Sequence, residues 1–193
     1  MTETAAPARA KTRERILFAT AELFRRQGYN GTGLKQVVAA ADAPFGSLYH
    51  HFPGGKVELA EEVIGSAGAF FQALVTAVYD EQVTTETAVR AVFAGAAETL
   101  EATDYEDACP IATVALEVAS TDDRLRAATA AVFDRWTDAL TDRVGDRAKA
   151  LAIIAALEGA FILCRAARDT EAMHAAGDMA AALVAAQGDG AAA

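Results

Sequence analysis

The chain has 193 residues, of which 53% are hydrophobic, and this fraction is enough to form a core. Its net charge is −10, and a protein with that charge spread evenly over its surface would bind polyanions poorly. The charge is uneven: residues 1–56 hold eight Lys/Arg and four Asp/Glu (net +4), whereas residues 57–193 hold nine and twenty-three (net −14). A basic segment joined to an acidic one can bind phosphates through one face, although chance surface charge would give the same asymmetry.

The first predicted helix follows a small, polar stretch, residues 1–9, that we expect to be a flexible arm. It runs over residues 10–27, where apolar side chains recur at helical spacing. Gly28 is predicted to end it, because glycine is the residue most often found just after a helix C-terminus.

A second and a third helix follow, separated by a tight turn. Thr32 is the predicted N-cap of the second helix, over about residues 33–41. Asp42 occupies the turn, because Asp adopts a left-handed backbone at modest cost. The third helix spans residues 44–51 and begins with a proline, whose missing N–H would be unpaired there anyway. This arrangement predicts a helix-turn-helix domain over residues 10–55.

The remainder, residues 56–187, is predicted to form a larger helical domain, so we expect an all-α protein of about nine helices. Residues 188–193 are a loose tail. The helix at 147–167 is apolar on two faces, which favours contacts on both sides. The further predicted helices span residues 56–79, 86–102, 110–119, 121–144, 147–167 and 171–187.

Nothing in the sequence indicates catalysis or a cofactor. The cysteines, at 109 and 164, lack CxxC or Cys/His spacing and are expected to be reduced and buried, and the histidines do not have zinc-ligand spacing. Gly54-Gly55-Lys56 resembles part of a phosphate loop but lacks its preceding strand. We therefore predict no metal, no cofactor and no enzyme activity. The absence of an unbroken apolar span and of a signal peptide predicts a cytoplasmic protein without a membrane partner.

The order of motifs in residues 12–60 resembles the DNA-binding domain of the TetR family of bacterial transcriptional repressors. The family pattern begins as AxLFxxxGYxGT. The stretch LYHHFPGGK looks like a branch of the family that controls multidrug efflux genes. The matching segments are Ala21-Glu22-Leu23-Phe24, Gly28-Tyr29, Gly31-Thr32, Gly46-Ser47-Leu48-Tyr49-His50-His51-Phe52 and Lys56-Val57-Glu58-Leu59.

Two positions depart from the family's pattern. Asp42 stands where the family usually has Gly, and Asp is the next best residue for that backbone. Three residues separate Phe52 from Lys56, where the family usually has two, and the extra residue changes the reach of Lys56 toward a phosphate.

The resemblance implies that the third helix enters the DNA major groove. Tyr49 and Lys56 resemble the family's phosphate-contacting tyrosine and lysine. Phe45 can touch a thymine methyl group, and Ser47 can accept from or donate to several base edges. Thr32 at a helix N-terminus can offer its hydroxyl and backbone N–H groups to a phosphate. The expected DNA-binding residues are Thr32, Lys35, Phe45, Gly46, Ser47, Tyr49, His50 and Lys56.

The resemblance also implies a ligand pocket in the larger domain, and we expect an apolar or aromatic inducer. Glu117 and Arg165 stand among apolar neighbours and could orient a polar group of the ligand, although both could equally face solvent. Each apolar candidate could equally be a core residue. The expected pocket residues are Phe70, Phe71, Leu74, Phe93, Cys109, Val114, Glu117, Trp136, Phe161, Cys164 and Arg165.

A single small DNA-binding domain reads only a few base pairs, which favours a two-fold homodimer on a near-palindromic operator. The last two helices are the expected dimer face, because small residues there allow close packing into a four-helix bundle between two copies. Packing within one subunit is the alternative. The expected interface residues are Leu151, Ala155, Gly159, Ile162, Met173, Met179 and Leu183.

The chain is therefore predicted to be a ligand-responsive transcriptional regulator, a dimeric repressor whose partners are operator DNA and a small inducer. Ligand binding would favour a spacing of the two DNA-binding domains that no longer fits successive major grooves. A DNA-binding regulator without a ligand, a transcriptional activator and a helical enzyme stay open as alternatives.

Overall fold

The computed structural model describes residues 11–185, and all regular secondary structure in that range is α-helical. The predicted all-α class and the nine predicted helices are confirmed there. The predicted arm (1–9), the tail (188–193) and the last two residues of the last predicted helix lie outside the described residues. The helices are α1 (Thr12–Gly31), α2 (Leu34–Ala40), α3 (Phe45–His51), α4 (Gly55–Glu81), α5 (Thr85–Ala102), α6 (Pro110–Val118), α7 (Asp123–Val144), α8 (Arg147–Ala167) and α9 (Glu171–Ala185).

The backbone at Gly28 agrees with the predicted end of the first helix, because Gly28 is non-helical with φ +74° and ψ −179°. Residues 29–31 add a short helical segment beyond this kink, so that α1 as a whole reaches Gly31. The predicted N-cap of the second helix is wrong. The N-cap of α2 is Gly33 instead of Thr32, and the Gly33 N–H donates to Gln36 Oε1 at 2.8 Å. The Thr32 hydroxyl turns back and donates to the Gly28 carbonyl at 2.6 Å, so it stabilises the kink.

The contacts divide the chain into two compact units, which do not coincide with the predicted domains. The first, the head unit, runs to Ala67 and also includes Pro110–Ala130; the second, the body unit, consists of Gly68–Cys109 and the chain from Ala131 onward. Helix α6 and the start of α7 therefore belong to the same unit as the helix-turn-helix. The domain boundary between residues 55 and 56 stays a prediction from the sequence.

Apolar side chains from α1, α2, α3, α4, α6 and the start of α7 fill the interior of the head unit. Burial of each large side chain of this kind stabilises the fold by about 1.5–3 kcal/mol. Arg15 on α1 reaches the turn between α2 and α3, where its Nε donates to the Ala41 carbonyl at 2.9 Å and Nη2 to the Asp42 carbonyl at 3.0 Å. Asp42 has φ +45°, which confirms the predicted left-handed turn residue. The largest buried side chains of the unit are Ile16, Phe24, Val37, Leu48, Phe52, Leu59, Ile64, Ile111 and Leu125.

In the body unit, α5 packs against α9 and, less extensively, against α8, and α8 packs against α9. Helices α5 and α9 approach each other closely at Gly177, where an added Cβ would lie 2.9 Å from the Phe93 Cβ. Asp146 caps the N-terminus of α8, because its side chain accepts hydrogen bonds from the N–H groups of Ala148 at 2.7 Å and Lys149 at 3.1 Å. These contacts fix α5, α8 and α9 as the frame of the body unit.

Within residues 11–185, two helices are by length and mean hydropathy apolar enough to cross a membrane, although Glu61 and Glu62 interrupt one of them and Glu158 interrupts the other. They are α4 and α8, with mean hydropathies of 1.3 and 1.9 over their most apolar stretches. Within the head unit, however, α4 is ion-paired: Glu61 accepts from Arg124 Nε at 3.1 Å and Glu62 pairs with Arg13. Such charged pairs are costly inside a bilayer, so α4 fits a helix of an aqueous protein better.

Candidate nucleic-acid interface and ligand cavity

Helix α3 is anchored on one side and open on the other. Leu48 is fully buried in the head unit, and Phe52 just beyond the helix is buried as well. On the opposite side, Phe45 and Tyr49 are exposed, and their rings meet edge to face with centroids 5.7 Å apart. Because buried Leu48 and Phe52 fix the rotation of α3 about its own axis, Phe45 and Tyr49 are held on the solvent-exposed side of the helix.

The other residues predicted on α2 and α3 for DNA contact have mixed exposure. Gly46 and His50 are exposed on α3, Ser47 is half-buried, and Lys35 is exposed on α2. Thr32 is different, because its side chain is only 1% exposed and its hydroxyl is occupied by the Gly28 carbonyl. Phe45, Gly46, Tyr49 and His50 are therefore the exposed candidates on α3. Thr32 instead makes an internal hydrogen bond that stabilises the kink.

Lys56, predicted to contact a phosphate, is half-buried at the start of α4. Its Nζ lies 4.2 Å from the centroid of the Tyr29 ring, a cation–π geometry. Partial burial lowers the pKa of Lys56, and the nearby Glu117 opposes this shift. The additional residue before Lys56 is accommodated in a turn, which is closed by a hydrogen bond from the Gly54 N–H to Glu58 Oε2 at 2.6 Å.

Glu117 lies in the head unit, although it was predicted to line the ligand pocket. Its Oε2 accepts a hydrogen bond from the Asn30 N–H at 2.8 Å. Its Oε1 comes so close to the kink that a Cβ added at Gly28 would lie 2.0 Å away. Val114, on the same helix, is fully buried in the head unit and is also no cavity residue. Glu117 thus stabilises the kink at Gly28 within α1.

The body unit contains a cavity of about 680 Å³, mouth included. Eleven of the lining side chains are hydrocarbon or aromatic, and the other four are polar or charged. The lining residues are Phe71, Gln72, Val75, Thr76, Tyr79, Val92, Phe93, Trp136, Ala139, Leu140, Arg143, Ile153, Ile154, Leu157 and Glu158.

Three of the predicted pocket residues line this cavity: Phe71, Phe93 and Trp136. Trp136 is held by its indole Nε1–H, which donates to the Gly68 carbonyl at 2.9 Å, and its ring lies 4.7 Å from that of Phe71. A fixed tryptophan beside a phenyl ring forms an aromatic wall, which suits a flat or apolar ligand.

The remaining predicted pocket residues of the body unit lie elsewhere. Phe70 is 73% exposed, and Leu74 is also exposed, while Cys164 is buried in the core and Phe161 packs against that core. Arg165 is used internally, where it donates to the carbonyls of Tyr105 and Glu106 at 3.2 and 3.1 Å. Cys109 does not line the cavity, but its thiol hydrogen-bonds to the carboxyl group of Glu158.

Glu158 is the acidic residue among the twelve cavity residues that the sequence analysis missed. Its Oε2 is buried and has no hydrogen-bond partner within residues 11–185. Burial raises the pKa of Glu158 to about 7, and the hydrogen bond from Cys109 acts in the opposite direction. A signal was present, since Glu158 is the one charged residue between Lys149 and Arg165 in an otherwise apolar helix.

Arg143 and Tyr79 supply the other strongly polar groups of the lining. Arg143 forms an ion pair with Asp80 at 2.8 Å, and its guanidinium lies 5.9 Å from the centroid of the Tyr79 ring. Burial raises the pKa of Tyr79 to about 12, while the adjacent Arg143 lowers it. Arg143 therefore already has a charged partner in Asp80, whereas Glu158 Oε2 has no hydrogen-bond donor within residues 11–185.

The residues predicted for a dimer face are divided between surface and core. Leu151, Ile162 and Met179 are between 50% and 56% exposed, and Ala155 is exposed too. Met173 is fully buried, so its assignment to an intermolecular face is corrected to the core of the body unit. Gly159 and Leu183 are half-buried.

Two family models match successive parts of the chain. The model of bacterial regulatory proteins of the tetR family matches residues 16–63, and that of the LmrA/YxaF-like transcriptional regulator C-terminal domain matches residues 85–179. An uncharacterized HTH-type transcriptional regulator, Rv0196, of Mycobacterium tuberculosis is 37% identical over 81% of this chain and 86% of its own. The HTH-type transcriptional regulator LmrA of Bacillus subtilis is 28% identical over 82% and 89%.

A solved structure shows the same fold. The regulatory protein TetR from Rhodobacter sphaeroides matches with a TM-score of 0.82 over 90% of this chain and 98% of its own, at 19% sequence identity. At that identity the match concerns the fold alone.

Proposed function

Because the chain belongs to the TetR family of bacterial transcriptional regulators, we propose that it is a ligand-responsive repressor. In this proposal a homodimer binds a near-palindromic operator through α3 of each copy, and a small apolar or aromatic inducer releases it. The observation that carries the proposal is the exposed Phe45–Tyr49 face of α3, held in one orientation by buried Leu48 and Phe52.

The dimer is proposed from the exposed apolar surface of the last two helices. Leu151, Ala155 and Ile162 are exposed on α8, and Met179 is exposed on α9, which packs against α8. Covering such side chains removes apolar area from water. Two copies also supply two reading helices for two half-sites, so that affinity and specificity both increase. A protein acting on chromosomal DNA in this way works in the cytoplasm.

Ligand response is proposed from the cavity of the body unit. Its aromatic wall and hydrocarbon lining match the general character of small-molecule sites, in which apolar surface supplies binding energy and a few polar groups orient the ligand. The alternative is a DNA-binding regulator whose cavity is only a packing defect. Thermal-shift screening with lipophilic compounds distinguishes them, because a ligand that binds the folded state raises the melting temperature.

The DNA-binding part is tested by selecting genomic fragments on the purified protein, in parallel with Tyr49→Ala and with Phe18→Ala as the control. Phe18 is an exposed aromatic residue of α1 in the same unit. We expect the natural protein and the control to recover one near-palindromic sequence, and Tyr49→Ala to lose it. Recovery of the same DNA by Tyr49→Ala, or of no common sequence by the natural protein, would contradict the proposal.

A further inference from the structure

The cavity of the body unit combines an apolar enclosure with one unsatisfied acidic group. Glu158 Oε2 is buried among lining side chains such as Ile154 and Leu157, and no hydrogen-bond partner for it lies in the described part of the chain. A buried carboxylate without a full set of partners is costly, because it has lost its hydration without replacement. A ligand that supplies the missing donor would recover that free energy.

The surrounding groups narrow the chemistry of this donor. The other charged lining residue, Arg143, is ion-paired with Asp80 at 2.8 Å, so it is not the partner that Glu158 lacks. The aromatic rings of Phe71 and Trp136 line the same cavity, and the faces of such rings attract cations as well as apolar groups. An ammonium group satisfies a carboxylate more strongly than a neutral donor does, because its hydrogen bond is charge-assisted.

We propose that Glu158 is the polar anchor of the effector site and that the site selects lipophilic amines, in which one ammonium group is attached to an aromatic or aliphatic body. The inference rests on the proposed ligand-responsive function and specifies its ligand class. The ammonium group binds to Glu158 Oε2, and the apolar body lies against the Trp136 wall. The raised pKa of Glu158 fits this role, since a cation would favour the ionised carboxylate that burial disfavours.

The test uses three probes with the same carbon skeleton: phenylbutylamine, phenylbutanol and phenylbutyrate. The chain has a single tryptophan, Trp136, so its fluorescence, excited where a phenyl ring does not absorb, reports directly on the cavity. Titrations at about pH 8 compare the natural protein with Glu158→Gln, which keeps the side-chain size. Glu98→Gln, at an exposed position of α5, is the matched control.

We expect the amine to bind the natural protein and Glu98→Gln about tenfold or more tightly than the alcohol, and the acid to bind most weakly. In Glu158→Gln the preference for the amine should disappear while the alcohol binds as before. That retained binding also shows that the variant is folded and that its cavity is intact.

Two results would overturn the proposal, and they are distinguishable from each other. Equal binding of amine and alcohol, or an amine preference that persists in Glu158→Gln, would remove the role of Glu158 but leave the cavity as an effector site. Absence of binding by all three probes would remove both the lipophilic-amine site and the support for ligand response, while operator binding by the same preparations would still be measured separately.

Discussion

Two glutamates, one in each unit, show how differently the head and the body use the same side chain. In the head unit, Glu117 Oε2 accepts a hydrogen bond from the Asn30 N–H, and Glu117 Oε1 lies close to the kink at Gly28. Glu158 in the body unit has a buried oxygen without a partner within residues 11–185 and faces a cavity. A satisfied polar group makes a unit rigid, whereas an unsatisfied one leaves free energy available to a ligand. The polar contacts of Glu117 therefore stabilise the head unit, whereas the unpartnered oxygen of Glu158 leaves the body unit able to form a further hydrogen bond with a ligand.

The largest expected effect concerns the satisfied glutamate. Gly28→Ala should destabilise the protein by about 2–4 kcal/mol, because it places a Cβ at φ +74° and displaces Glu117 from its hydrogen bond. Urea unfolding measures the change. Gly95→Ala is the matched control, since Gly95 lies in α5 with no atom within 4 Å of an added Cβ, and it should stabilise the helix slightly. Equal unfolding midpoints for the two variants would break the account of the head.

An intermediate effect is expected from the unsatisfied glutamate, and it depends on pH. The folded-state pKa of Glu158, about 7, lies above the value of an exposed glutamate. Its contribution to stability is therefore fully present below about pH 4 and is lost as the pH rises through 7. Glu158→Gln should accordingly be more stable than the natural protein by about 1–3 kcal/mol at pH 8, with the difference vanishing near pH 4.

Thermal unfolding across this pH range measures the difference, with Glu98→Gln as a control that should follow the natural protein at every pH. A Glu158→Gln curve parallel to that of the natural protein would mean that the carboxylate is hydrated or paired. The contrast between the two glutamates would then disappear.

The smallest expected effect concerns the turn of the helix-turn-helix. Asp42→Gly should change the free energy of unfolding by less than about 1 kcal/mol, because Asp already tolerates φ +45° and glycine gains local freedom in the unfolded chain. Asp42→Val should cost about 1–2 kcal/mol, since a β-branched side chain is strained in this conformation. Urea unfolding of both variants checks the order. A Val variant as stable as the Gly variant would show that the turn relaxes.

Local signals made the bounds of helix α3 predictable. Proline at 44 and the left-handed Asp42 define the start of α3, and the Pro-Gly-Gly segment defines its end, so the predicted and observed bounds agree within one residue. These signals act over a few residues and need no knowledge of tertiary contacts. The same reasoning located the kink at Gly28 but not the short helical segment beyond it, where Glu117, distant in sequence, accepts the N–H of Asn30.

The cavity was only partly predictable for a related reason. Phe70 and Phe71 are neighbours in the sequence with the same apolar character, yet one is exposed and the other lines the cavity. Which side of a helix faces a cavity depends on how the helices of a unit are packed, and helical periodicity does not determine that. Glu158 was detectable in principle as a lone charge in an apolar helix. Its lack of a partner becomes visible only when every neighbouring donor is placed.

The central claim, that the head reads DNA and the body senses a ligand, is tested most directly by operator binding of two single variants. Fluorescence anisotropy with the selected near-palindromic DNA compares the natural protein, Tyr49→Ala and Glu158→Gln at one salt concentration. We predict that Tyr49→Ala loses about 1–3 kcal/mol of binding free energy, whereas Glu158→Gln binds as the natural protein does. Unchanged binding by Tyr49→Ala, or an equal loss in both variants, would contradict the division of labour between the two units.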